Sequence, residues 1–261
     1  MLIPPYYAAS GGEYTQKRFN DLRSFRLSGI VNSLNERIIY AQNNKLGFKE
    51  FLSLLCEDEK SNRKDNNYRR RKSAAKLPVT KNLEDFDFNF QPSVDAKVIS
   101  DLSTCDYINT KGNVIFIGDS GTGKTHLAIG LALKALTREY SVYFTTVSDM
   151  LYNLHIARAD NSYHKKVKLL LSFDLLILDE LGFKQLPKHS VEDFFNIIAK
   201  RYENKSTIIT TNKDFEKWNE IFADEVLTHA IIDRVVHHAH ILNIKGKSYR
   251  INNYKSGGNM A

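Results

Sequence analysis

The sequence predicts an α/β fold of three layers, a parallel sheet covered by helices on both faces, with a small helical domain ahead of it. Three observations predict it. Short apolar runs at 114–117, 142–145, 174–178 and 207–211 alternate with helical stretches from 124, from 148, over 163–171, over 190–203 and over 223–237. Continuous apolar strands linked by helical crossovers belong to sheets buried on both faces. A glycine-rich loop, GDSGTGKT, joins the first of these strands to the first of these helices, and the run LLILDE ends in two carboxylates, Asp179 and Glu180.

Composition bounds the rest. With 261 residues, 42% hydrophobic and 26% charged, the chain can bury a real core and is too apolar to be disordered. A formal net charge of +7 favours an anionic partner, nucleic acid first. Cys56 and Cys105 match no metal or redox spacing, which suits a reducing compartment. The opening MLIPPYYAASGGEY lacks the layout of a signal peptide, and no apolar run is long enough to span a bilayer, so a cytoplasmic protein without membrane contact is expected.

The first residues, with Pro4, Pro5 and Gly11-Gly12, read as a loose leader. From Phe19 a helical stripe begins, through Leu22, Phe25, Ile30, Leu34 and Ile38, with a bend expected at Gly29; a second stripe holds Phe48, Phe51, Leu52 and Leu55. The stretch from Lys60 to Lys76 is dense in lysine and arginine. It reads either as a solvated basic helix face or linker, or as a strip contacting a phosphate backbone. LEDFDFNFQP, closed by Pro92, reads as an extended lead-in to the sheet domain.

GDSGTGKT fits the phosphate-loop pattern G-x-x-x-x-G-K-[ST] at Gly118, Gly123, Lys124 and Thr125. Glycines let backbone N–H groups turn inward around a phosphate, and the helix that follows presents its positive end. The nucleotide-binding residues expected are Gly118, Asp119, Ser120, Gly121, Thr122, Gly123, Lys124, Thr125 and His126, with Lys124 reaching the β- and γ-phosphates and Thr125 serving Mg²⁺. The strand-to-helix context separates this loop from an ordinary glycine turn. Asp179, at the end of its strand, is expected to hold the Mg²⁺ shell and Glu180 to orient and deprotonate a water, which favours a hydrolase over a nucleotide kinase. ATP and Mg²⁺ are the cofactors implied.

Strand 142–145 intervenes in sequence between the two motifs. A strand inserted between the loop strand and the Asp strand, with a Glu at the end of the latter, is the pattern of additional-strand P-loop NTPases. STIITTN stops at Asn212, which either ends a strand in a simple turn or bonds the γ-phosphate. Arg234, on the last helix, fits either an arginine finger offered to a neighbouring subunit or an internal salt bridge near Asp233. His237, His238 and His240 are too close-set, without companion Cys or carboxylate in an i, i+4 arrangement, and read as surface or packing residues.

These residues resemble a known family. GDSGTGKTHLA, FTTVSDML, ARADNSYHKKVKLL, DLLILDELGF, RYENKSTIITTNKDFEKW, FADEVLTHAIIDRVVHHAHIL and GKSYRI are similar to the IstB family, ATP-binding helpers of insertion-sequence transposition related to the DnaC helicase loader and the AAA+ ATPases. The similarity runs from about Asp21 to Ile251 and includes RLSGIVNSL and LEDFDF. The resemblance implies an AAA+ ATPase domain over 79–254, after a leader at 1–18 and a helical domain with basic linker at 19–78, with a flexible tail at 255–261. It implies catalytic roles for Lys124, Glu180, Asn212 as first sensor and Arg234 as finger, with Arg250 as a second sensor. It makes Ser148 to Lys168 a helical insertion that grips DNA through His155, Arg158, Lys165, Lys166 and Lys168. It further implies an ATP-dependent oligomer on double-stranded DNA and an IstA-like transposase as partner.

Two departures stand out: only a short tail follows Arg234 where an AAA+ lid would be a helical bundle, and the first fifteen residues match nothing in the family. A DnaC-like replicative helicase loader is the competing reading, with an almost identical ATP site. A nucleotide kinase is disfavoured by Glu180 and by the lack of an arginine-rich acceptor lid. No triad of metal-binding carboxylates suited to DNA strand transfer is evident, so cutting and joining of DNA is not expected of this chain.

Overall fold

The computed structural model describes residues 20–252; the expected leader at 1–18 and tail at 255–261 lie outside them. The described residues form two compact units that part between Arg70 and Arg71.

The first unit is built on helices α1 (Ser28–Asn43) and α2 (Phe48–Ala74). The helical stripe breaks at 25–27, just ahead of Gly29, and Gly29 itself is the point where α1 meets α2, since a Cβ there would lie 2.6 Å from Glu59 Cα. Buried Glu59 accepts from Gly29 N at 2.7 Å and Ile30 N at 3.3 Å, capping the orphan donors of α1 across the hairpin. Asp58 takes a two-point bond from Arg37, at 2.7 and 2.8 Å, which holds its carboxyl down at about 2. The basic stretch is helical as far as Ala74, the end of α2, and the two units part within it, between Arg70 and Arg71.

The second unit contains a five-stranded sheet in the order β2-β3-β4-β1-β5, every neighbouring pair parallel. Its strands are β1 (Asn113–Gly118), β2 (Val142–Thr146), β3 (Leu175–Leu181), β4 (Ser206–Thr211) and β5 (Ala239–Ile244). The helices are α3 (Ala96–Ser103), α4 (Asp106–Asn109), α5 (Lys124–Thr137), α6 (Val147–Ala159), α7 (Tyr163–Ser172), α8 (Lys188–Arg201), α9 (Asn219–Phe222) and α10 (Glu225–Val236). The strand separating the loop strand from the Asp strand in space is β4, not β2, which lies at the edge beyond β3.

The apolar strands do as their composition dictates: Val114–Phe116, Leu175–Leu178, Ile208 and Ile209 are wholly buried. One core joins β1, β3 and β4 to α6, α7, α8 and α10 through Leu154, Val191, Phe194, Ile197 and Ile231. Truncating one of these side chains to alanine costs about 2–5 kcal/mol. The edge strand β5 and helices α3 and α4 are not foreseen in the sequence reading. LEDFDFNFQP is not extended: Leu83–Asp85 form a 3₁₀ turn whose Leu83 lies where a Cβ on Gly130 of α5 would be, 2.4 Å from its Cδ2.

Candidate nucleotide-binding site

β1 ends at Gly118 and α5 begins at Lys124, so the glycine-rich loop crosses the carboxyl ends of the central strands. Gly121 and Gly123 have φ of 81° and 99°, the left-handed region open to glycine. A side chain at Gly123 would also collide with Phe86, whose Cε2 lies 2.5 Å from the Cβ position. Phe86 packs edge-on to His126, at 5.4 Å between ring centroids, and His126 Nε2 meets Asn82 O at 2.7 Å. The phenylalanine-rich lead-in therefore buttresses the loop from outside.

Lys124 Nζ donates to the carbonyls of Gly118 and Asp119, both at 2.7 Å. Burial is the main cause that pushes its amine below the ordinary lysine value, and the nearby Arg250 charge adds to it. Two cations facing one cleft suit an anion.

The second motif lies against the first. Thr125 Oγ1 donates to Asp179, at 3.0 and 3.2 Å to the two carboxylate oxygens, and Thr210 Oγ1 donates to the same carboxylate from β4. Between Leu178 and Leu181 the β3–β4 register slips by one residue. Within this bulge Glu180 has φ of 64°, and its N–H bonds Thr210 Oγ1 at 3.0 Å. A bulge re-aims side chains that strict alternation would send to opposite faces. Here it leaves Asp179 buried beneath Thr125 and Glu180 exposed at the cleft. Gly182 follows with φ of 104°, and a Cβ there would crowd Asn212 Oδ1 at 2.8 Å.

The cleft has a volume of about 580 Å³. Of the residues expected to bind or act on the nucleotide, Ser120, Gly121, Thr122, Gly123, Lys124, Thr125, His126, Glu180, Asn212 and Arg250 line it. Gly118, Asp119 and Asp179 lie behind that lining, the first two as acceptors for Lys124 and the third as acceptor for Thr125. Sequence reasoning missed Phe86, Phe90, Gln91 and Tyr249, which also line the cleft, and Thr210. Thr210 sits two residues before the Asn212 singled out, so the strand-end position was its available signal.

Arg234 is absent from this lining. It lies in the last turn of α10, where Nη1 donates to Ala230 O at 2.8 Å and the guanidinium sits 5.1 Å from the centre of the Phe195 ring. Among the described residues it makes no salt bridge, so the internal ion pair considered for it does not form. In the basic insertion, Lys165, Lys166 and Lys168 are exposed on α7. Arg158 instead pairs with buried Asp193 at 2.6 Å and stacks over Tyr163, while His155 lies beside His189. No helix among the described residues is long and apolar enough to cross a membrane.

A glycine-rich loop on β1, a carboxylate at the end of β3 and an intervening β4 define a P-loop nucleotide-binding protein, and the structures it resembles are AAA+ proteins. The DnaC helicase loader superposes with a TM-score of 0.51 at 26% identity, over 57% of this chain and 87% of the loader. A DnaI structure gives 0.55 at 20% identity, over 63% and 91%, a likeness of fold. The chain belongs to the IstB-like ATP binding protein family, whose profile matches residues 20–257. The protein named for ATP binding in insertion sequence IS232 of Bacillus thuringiensis subsp. berliner is 36% identical over 94% of this chain and 98% of its own length. Its counterparts in IS5376 of Geobacillus stearothermophilus and IS21 of Pseudomonas aeruginosa are 39% and 38% identical, over 81% and 91% of this chain and 84% and 88% of their own lengths.

Proposed function

We propose that this protein is an ATPase that assembles on duplex DNA in its ATP-bound form and stimulates a partner transposase in insertion-sequence transposition. The observation that carries the catalytic half is the Thr125–Asp179 hydrogen bond, which joins the two motifs, with the bulge that frees Glu180 toward the cleft. The insertion-sequence half rests on relatives that match along nearly the whole chain.

The donor set at Thr125 and Asp179 is a hydroxyl and a buried carboxylate, all oxygen, and it fits Mg²⁺. When bound there, Mg²⁺ neutralises developing phosphate charge. The loop N–H groups hold the phosphates, and Lys124 exchanges its two carbonyl acceptors for phosphate oxygens. Glu180, outside any salt bridge among the described residues, orients the attacking water and takes its proton. Asn212, just past the end of β4, would bond the γ-phosphate, and Arg250 would act as second sensor in the same cleft. Arg234, shelved on Phe195 away from its own cleft, serves a neighbouring copy as the finger. Mixing Arg234→Ala chains with Glu180→Gln chains then restores part of the turnover that each lacks alone. No recovery at any ratio would remove the shared site.

DNA contact is assigned to the exposed Lys165, Lys166 and Lys168, since Arg158 is engaged with Asp193 and His155 with His189. Sizing the protein by light scattering with a non-hydrolysable ATP analogue and duplex DNA tests the assembly. A large complex forms only with both, and not when the three lysines are changed to alanine; a monomer under every condition would contradict it. The alternative, a DnaC-like helicase loader, rests on the 26% identity to that loader, which covers 57% of this chain against 94% for the IS232 relative. Binding to a replicative helicase without a DNA requirement would favour the loader.

A further inference from the structure

At the amino ends of the strands, away from the phosphate loop, three side chains from two separate turns converge. Glu203 follows α8, and His237 and His238 fill the turn from α10 into β5. One ligating atom from each lies within 4.8 Å of the other two. The sequence alone discounted these histidines for want of a companion carboxylate. The fold supplies one from 34 positions earlier in the chain (237 − 203).

We propose that Glu203, His237 and His238 form a binding site for a divalent transition-metal ion of the zinc type, with the remaining coordination position open. Three features bear on it. Glu203 and His238 both hold left-handed backbone, φ of 57° and 63°, where the chain turns out of α8 and α10. The corner is pinned from β1: Asn113 N donates to His238 O at 3.1 Å, and Asn113 Nδ2 donates to Val235 O at 3.1 Å. In addition, His237 Nδ1 lies 2.6 Å from the Tyr202 hydroxyl. A tautomer with Nδ1–H donating to that oxygen would leave the Nε2 lone pair for a metal, the arrangement by which an outer partner fixes the tautomer of a metal-binding imidazole.

Two imidazoles and one carboxylate match zinc better than Mg²⁺ or Ca²⁺, which prefer all-oxygen sets. At bonds of about 2.0–2.1 Å, tetrahedral ligands sit about 3.3 Å apart, so the three atoms, now within 4.8 Å of one another, would draw closer on binding, and all three residues are exposed. The ion would join the end of α8 to the end of α10, three positions beyond Arg234 (237 − 234). Binding would thus stiffen the helix end that carries the proposed finger.

The test is calorimetric titration of zinc into the full chain after stripping with chelator, without nucleotide or Mg²⁺. One equivalent binds to the wild-type chain. Glu203→Gln and His238→Asn each weaken it about tenfold or more, asparagine being chosen because it tolerates the left-handed backbone. His240→Ala, outside the cluster, leaves it unchanged, and circular dichroism checks that each variant is folded. Cobalt(II) gives the visible absorption of a tetrahedral nitrogen and oxygen site in wild type and loses it in Glu203→Gln. Failure of wild type to bind zinc, or one-equivalent binding that survives both Glu203→Gln and His238→Asn, would overturn the assignment.

Discussion

β3 and β4 carry a buried polar network at each end, and the two differ in how completely they are satisfied. Where the strands begin, Arg201 spends every donor group on fixed acceptors: Leu170 O at 2.8 Å, Phe173 O at 3.0 Å, Thr207 Oγ1 at 3.2 Å, and the carbonyls of Asp174 and Ser206. Burial pushes its guanidinium down to about 9, which still leaves it charged at neutral pH. Beside it, Asp174 binds Lys205 and Ser141, so this end is closed upon itself. Where the strands finish, Asp179 receives only two hydroxyls, from Thr125 and Thr210, and keeps lone pairs in reserve. Glu180 points into a cleft and Lys124 rests on two carbonyls it can exchange. A polar network closed on backbone holds a fold together, whereas one left incomplete beside a cleft is built for a ligand.

Breaking the closed end should have the largest effect on stability. No apolar residue can replace Arg201, because its acceptors are mostly backbone carbonyls that would be left buried and unpaired. Arg201→Met is expected to lower the unfolding free energy by about 3–5 kcal/mol. Urea denaturation measures this, and a loss under about 1 kcal/mol would show that the carbonyls find other partners.

A change at the open end should spare the fold and reach only the chemistry. Thr210→Val removes the hydroxyl that both donates to Asp179 and accepts from Glu180 N, while keeping the side-chain shape. Turnover is expected to fall by about tenfold to a hundredfold through misplacement of the two acids, with ATP affinity nearly unchanged. Steady-state hydrolysis and equilibrium nucleotide binding separate the two effects. A matching loss of affinity would mean that Thr210 holds the nucleotide instead of the acids.

The two ends were unequally legible. The loop and the LLILDE strand announce themselves because their chemistry is local, a run of glycines or a pair of acids beside one apolar segment. The bulge at Glu180 was invisible, since it arises from the one-residue slip against β4 and no nearby residue encodes it. Nothing in the sequence sets Arg201 apart from other basic residues; only the fold shows that it is buried among carbonyls. β5 escaped notice because an edge strand needs no continuous apolar run, and AHILNI is exposed at His240, Ile241 and Asn243. The break in the first helical stripe falls at 25–27, beside the glycine that signals it, but the close approach of α1 and α2 at Gly29 shows only in the fold.

The most direct measurement is ATP hydrolysis by Glu180→Gln alongside its equilibrium affinity for ATP. The amide keeps the shape and the bulge but cannot accept the proton of water. The expected result is unchanged binding with turnover reduced at least about a hundredfold. A hydrolysis rate close to that of the wild-type chain would contradict the assignment of Glu180 as the base.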